Sequence, residues 1–247
     1  TEFSYDVLGN LLTVTHGRGS TMRTLTENNY NPLGLLTNQT ELDSGQTDLQ
    51  YDANNNLVWT KDARGIVTTF DYDELNRLIC TDFNDDDACD IIHIYDSDTK
   101  GCQEGYGTGK LCRIVYSNSE NDYEEWYDYD ARGRVTSIDY SINDDLYTTS
   151  FGYNEADEVV LVTDPDGYQT EYEYNELNQI ENIRFKEPGG SWNYIYYTYY
   201  PSGNINVTDY TTGVTTQQEY TERDWLESID TDGPGESDFK RLYQYDG

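Results

Sequence analysis

Positive charge is scarce in this chain. Of its 247 residues only 15 are Lys or Arg, against 48 Asp or Glu, so the formal net charge is −33 at pH 7. A nucleic-acid binder needs a cationic face for phosphates, so that class is excluded, and docking on anionic lipid is disfavoured for the same reason. Apolar residues are also few, 35% of the chain, below the usual share of about 45–50%. No long apolar run exists, so membrane insertion is not expected. Histidine is limited to His16 and His93, and no Ser/His/Asp or Cys/His triad has a sensible spacing. Phosphate-loop, dinucleotide and HExxH zinc motifs are missing. Carboxylates are so numerous that a glycosidase-like pair carries no weight as a signal. The chain opens on Thr1 without a leader pattern and reads as an excised or processed piece.

What is abundant is tyrosine, 25 residues against 6 Phe and 4 Trp. Burial by such rings leaves hydroxyls that must stay wet or find partners. Many of them recur in a short core: Tyr, then Asp or Asn, two or three variable residues often containing Gly or Asn, a polar residue, then Leu, Ile or Val. Copies begin at Tyr5, Tyr30, Tyr51, Tyr72, Tyr95, Tyr129, Tyr153, Tyr174, Tyr200 and Tyr220, with a partial one at Tyr245. A fixed period of this kind signals a repeat architecture. Each copy has the chemistry of a turn. The Asp or Asn side chain can bond the backbone two residues on, and Gly9, Gly34, Asn55, Asn76, Gly133 and Asn178 tolerate positive φ where the chain reverses. Copies at Tyr153, Tyr200 and Tyr220 lack the Asp or the Gly. Second turn signals lie at Asp62 to Gly65, Asp164 to Gly167 and Tyr210 to Gly213. Alternation in Tyr168, Thr170, Tyr172 and Tyr174 fits a half-buried strand, and no sustained helical period exists. One period is therefore one β-hairpin plus its link to the next.

Two further features stand out. Cys80, Cys89, Cys102 and Cys112 cluster in one irregular stretch, with spacings unlike the CxxC knuckles of zinc sites. Local pairs Cys80–Cys89 and Cys102–Cys112 are favoured because each closes a loop of the insertion, and crossed pairings stay open. Disulfides require an oxidising compartment. The loop from Asp82 to Asp90 places Asp82, Asn84 and Asp86 at alternating positions, as in the first oxygen ligands of a calcium loop; Asp87 stands where that loop has Gly, and His93 where it has Glu.

The cores, best seen in Tyr127-Asp128-Tyr129-Asp130-Ala131-Arg132-Gly133-Arg134-Val135-Thr136 and from Thr163 to Gln179, resemble the YD-repeat, or RHS (rearrangement hot spot), family. The resemblance covers nearly the whole chain. It implies an all-β fold of stacked antiparallel hairpins in a curved or spiralling sheet, the wall of a shell that encloses a toxin or other cargo. The expected organisation is a single array over residues 1–247, about ten hairpins, with the Cys-containing insertion around 80–112. The expected function is a non-catalytic wall element of a large secreted or surface bacterial protein, with no enzyme activity. Its partners would be the rest of its parent protein or neighbouring copies through sheet edges, and a toxin cargo. An extracellular assembly unit (a fibre or surface layer) and a carbohydrate-binding adhesin, with tyrosine rows stacking on glycans, are the alternatives.

Overall fold

The structure is a computed structural model that describes residues 1–17, 22–86, 88–96, 100–102, 105–117, 123–142, 145–235 and 239–245. The fold is all-β. Among the described residues no helix occurs, and none is long and apolar enough to cross a membrane. The strands are β1 (Glu2–Tyr5), β2 (Leu11–His16), β3 (Arg23–Tyr30), β4 (Leu36–Glu41), β5 (Gly45–Tyr51), β6 (Leu57–Lys61), β7 (Val67–Tyr72), β8 (Leu78–Asp82), β9 (Ile91–Tyr95), β10 (Leu111–Tyr116) and β11 (Tyr123–Tyr129). They continue as β12 (Val135–Ile142), β13 (Asp145–Tyr153), β14 (Val159–Thr163), β15 (Gln169–Tyr174), β16 (Ile180–Lys186), β17 (Asn193–Tyr199), β18 (Ile205–Tyr210), β19 (Thr215–Tyr220), β20 (Leu226–Asp232) and β21 (Phe239–Leu242).

Two compact units divide the chain: Thr1–Tyr127 with Tyr140–Asp145, and Asp128–Asp139 with Leu146–Gly247. In the first, β1 to β11 pair in sequence order, each antiparallel to the next. In the second, β13 to β21 do the same. Nearest-neighbour pairing of this kind is what a short-period repeat produces, because each hairpin buries its face only against the next one.

Burial is shallow, and where it is deep it is often polar. Among the described residues the buried apolar side chains are Cys80, Cys102, Cys112, Ile114, Trp126 and Tyr129. Asn28, Asn182, Thr208 and Ser228 are buried as well. Alternation in β16 separates Ile183 and Phe185 from Arg184, but the buried residue of that strand is Asn182, on the Arg184 side. Its Nδ2 donates to Glu173 Oε2 at 3.0 Å. Likewise Ser228 Oγ donates to Glu219 Oε2, and Asn28 Nδ2 to the Leu11 carbonyl. Buried polar groups are tolerated when they find partners, and these link neighbouring strands.

Candidate functional site

The site of a repeat protein is the joint that is repeated. Its first part is the turn. After Tyr51, the Asp52 N–H donates to the Asn56 carbonyl at 2.9 Å and the Asn55 N–H to the Asp52 carbonyl at 3.2 Å. Asp52 Oδ1 accepts the N–H groups of Asn54 and Asn56, both at 2.8 Å. The same side-chain pattern recurs at Asp6, Asn31, Asp73, Asp130, Asn154 and Asn175. Asp and Asn interchange there because only an acceptor oxygen is needed. Asp62 builds this turn in the linking position, without a leading Tyr. The copies that lack Gly or Asn are not defective: Asp157 and Asp224 take the positive-φ place at φ 66° and 58°.

The second part joins one hairpin to the next. Between hairpins the ladder stops short of the turns. In β4 and β5 the last rung is Asn38 with Asp48, so the Leu36 carbonyl has no strand partner beyond it. The ring of Tyr51 spans this gap and its hydroxyl donates to that carbonyl at 2.9 Å. The arrangement repeats as Tyr30 to Leu11, Tyr72 to Leu57, Tyr95 to Leu78, Tyr153 to Val135, Tyr174 to Val159, Tyr199 to Ile180 and Tyr245 to Leu226, at 2.5–3.0 Å. The last rung before each turn keeps one register, as in Thr13 with Glu27, Trp59 with Thr69, and Leu161 with Glu171. Phenylalanine would fill the gap but leave a carbonyl unpaired, which explains why the repeat uses tyrosine. Burial raises the ionisation point of most of these phenols, so they remain donors.

One copy is displaced from its expected start. The core placed at Tyr200 begins at Tyr199, which pairs with Ile205 across the bulge and makes the clasp. Tyr200 takes the Asp place: its N–H donates to the Asn204 carbonyl, and its hydroxyl to the Gln218 carbonyl at 3.2 Å. Two adjacent tyrosines hid this, and only the register separates them. Tyr220 keeps its turn place opposite Leu226, but its hydroxyl donates to Gln218 Oε1 at 2.6 Å. Tyr5 and Tyr129 lead their turns in the same way; Tyr5 is 58% exposed, Tyr129 8%.

A third part is the residue before the turn's final aliphatic, which the repeat pattern gives as polar without showing its role. Arg77 bonds Asp73 in its own turn at 2.7 Å, reaches Asp96 of the next turn at 2.7 Å, and lies 4.4 Å from the centre of the next Tyr ring, Tyr95. Arg134 does the same with Asp130, Asp157 and Tyr153. Shorter polar side chains bridge more weakly: Asn56 to Asn76, Gln179 to the Gly203 carbonyl, and Asn204 to Asp224. The signal that would have found this is the basic residue after the turn Gly or Asn.

The insertion sits inside a turn. Asp96 still donates its N–H to the Lys110 carbonyl, and Asp96 Oδ1 accepts the Gly109 N–H, so the excursion leaves the frame intact. It folds back on β10 and β11. Cys102 N–H donates to the Tyr127 carbonyl at 2.9 Å, and Cys102 is bonded to Cys112 with 5.3 Å between Cα atoms. A Cβ on Gly101 would lie 1.9 Å from the Cys112 carbonyl oxygen, so only glycine fits. Lys100 covers the buried Trp126 ring at 4.6 Å and pairs with Glu124. Burial raises the Glu124 carboxyl, but Lys100 and Arg113 outweigh it and hold it below the usual range. The second bond, Cys80–Cys89, closes the acidic loop.

In that loop Asp82 is buried and engaged. Its Oδ1 accepts the N–H groups of Asn84 and Asp85, and its Oδ2 that of Asp86. Asp86 Oδ1 in turn accepts the Ala88 N–H. These oxygens hold their own backbone, and among the described residues no cluster of three His, Cys, Asp or Glu side chains is placed to hold a metal ion. Asp87 lies outside the described residues. His16 Nδ1 meets the Thr1 hydroxyl at 3.0 Å, and burial pushes the His93 imidazole down, toward the neutral form.

A model of the RHS Repeat family matches residues 51–83 and 147–184. Over these two segments the chain is similar to RHS repeats. The two matches contain the clasp tyrosines Tyr51, Tyr72, Tyr153 and Tyr174, one pair in each compact unit. Solved structures share the fold over 99% of the chain. The crystal structure of TcdB2-TccC3 is 18% identical with a TM-score of 0.85, and that of TcdB2-TccC3-Cdc42 is 19% identical with 0.83. A Photorhabdus luminescens Tc holotoxin pore with a TccC3 variant is 19% identical with 0.84. The matched regions are 13 to 14% of those chains, so this chain spans about one seventh of their length. No curated protein sequence matches it.

Proposed function

We propose that the chain is a non-catalytic stretch of wall in an RHS-type shell, part of a large secreted or cell-surface bacterial protein that encloses a toxin or other cargo. The tyrosine clasp carries this reading. At eight joints it binds a hairpin to its neighbour through a backbone carbonyl, and so makes a surface out of units that cannot stand alone. The Tc toxin assemblies among the structurally similar proteins support the cargo, and the two disulfides support an oxidising, extracellular setting. Residues 1–247 act in this reading as one array, with the insertion as a pinned local elaboration.

Electron microscopy of the intact parent protein tests the proposal. Closed hollow particles are expected. Extended polymers would favour assembly through sheet edges. Binding on a glycan array would favour the adhesin.

A further inference from the structure

We propose that Tyr116 and Tyr123 form a site of oxidative cross-linking, at which hydrogen peroxide acting through a haem peroxidase joins the two rings. The residues face each other as the last rung of β10 and β11, and their ring centres lie 5.0 Å apart. Such a cross-strand pair is the closest approach that a sheet gives to two side chains distant in sequence.

Proximity alone does not single them out. Tyr200 and Tyr220 are 5.9 Å apart, and Tyr194 and Tyr196 are 5.8 Å apart. What distinguishes the Tyr116 pair is a built-in base. Glu125 stands two residues after Tyr123 on the same face of the strand. Its Oε1 accepts the Tyr123 hydroxyl and its Oε2 the Tyr127 hydroxyl. Tyr200 and Tyr220 instead donate to neutral oxygens of Gln218. Burial and the Glu125 charge also keep Tyr116 and Tyr123 protonated at neutral pH. Removing an electron from such a phenol requires that its proton leave too, and Glu125 is placed to take it from Tyr123.

The chemistry closes. Each phenol gives up one electron to the oxidised haem and one proton, to Glu125 from Tyr123 and to water from Tyr116. The two tyrosyl radicals form a carbon–carbon bond between positions ortho to the hydroxyls, and the displaced ring hydrogens move to oxygen to restore two phenols. One hydrogen peroxide takes up two electrons and two protons and becomes two waters. The product has lost two hydrogen atoms and closes the β10–β11 hairpin covalently, in the same stretch that the disulfide Cys102–Cys112 already pins.

The test is treatment of the full folded chain with hydrogen peroxide and a haem peroxidase, followed by dityrosine fluorescence and peptide mass mapping. A dominant cross-linked peptide joining Tyr116 to Tyr123 is expected. It should be lost in Tyr116→Phe, which keeps the ring packing, and should form several-fold more slowly in Glu125→Gln. Circular dichroism of each variant verifies folding. Cross-links spread over other pairs such as Tyr200 and Tyr220, or a yield unchanged by Tyr116→Phe, would overturn the proposal. An unchanged rate in folded Glu125→Gln would remove the role of the carboxylate and with it the reason for selecting this pair.

Discussion

The hydroxyl of Tyr51 donates to the main-chain carbonyl of Leu36 at 2.9 Å, closing the place where β4 and β5 part before their turns. The relationship crosses from one hairpin to the next, so it is a joint between repeats and not part of either.

Tyr51→Phe isolates this bond, since the ring stays. The loss should be about 1 kcal/mol, the net worth of a neutral hydrogen bond, with a surplus for the carbonyl left unpaired. Hydrogen exchange should rise in β4, β5 and β6 and stay unchanged in β16 to β21. Uniform loss of protection along the chain would contradict a nearest-neighbour array.

Arg77→Lys tests the turn-to-turn bridge. Lysine keeps the charge but cannot bond Asp73 and Asp96 through one planar fork while lying on the Tyr95 ring. A melting temperature below wild type is expected, and a lower one still in Arg77→Ala. Equal melting for Arg77→Lys and wild type would reduce the bridge to simple charge.

Replacing Cys102 and Cys112 together by Ser should cost about 2–3 kcal/mol, the loop-closure contribution expected for a short ring. The loss should be accompanied by quenching of Trp126 fluorescence, because the insertion covers that ring. Strand content in circular dichroism should persist, since Asp96, Gly109 and Lys110 hold the turn without the bond.

Acid should weaken the fold through the turn aspartates. Hydrogen bonds from Arg77, then the Gly109 N–H, hold the Asp96 carboxyl down to about 2. Asp6, Asp73 and Asp130 are also held below the usual value, with hydrogen bonds from their own turns as the leading cause. A folded pKa below the unfolded value of about 3.9 gives stabilisation that is complete above that pH and is lost as pH falls through the folded value. Urea midpoints should therefore fall from about pH 4 toward pH 2, and Asp96→Asn should flatten that slope.

Gly34→Ala examines the turn backbone. Gly34 has φ 81°, and an added Cβ would meet only the Asn10 side chain, at 3.7 Å. Space is available, so the cost is conformational, about 1–2 kcal/mol. Gly34→Asn should recover part of it, as Asn55, Asn76 and Asn178 occupy the same place.

Features set by neighbouring residues are legible in the sequence, and those set by distant partners are not. Turns were legible because their chemistry is local: an acceptor side chain after Tyr, and a residue tolerant of positive φ, lie within a few positions. The repeat pattern fits Tyr200 as well as Tyr199, because two tyrosines stand side by side, and only pairing with Ile205 decides which leads. Arg77 and Arg134 were passed over because their partners belong to the next turn. Asn182 and Ser228 look like solvent-facing residues, yet they are buried, with carboxylates of adjacent strands accepting from Asn182 Nδ2 and Ser228 Oγ.

By itself the sequence determined that this is a hairpin repeat with a strongly acidic surface, because turn chemistry, period and charge are properties of short stretches and of the sum over residues. Only the tertiary structure decided what the tyrosines are for. A hydroxyl becomes a clasp when a neighbouring hairpin brings an unpaired carbonyl within 3 Å, and that distance depends on where the ladder between two hairpins ends.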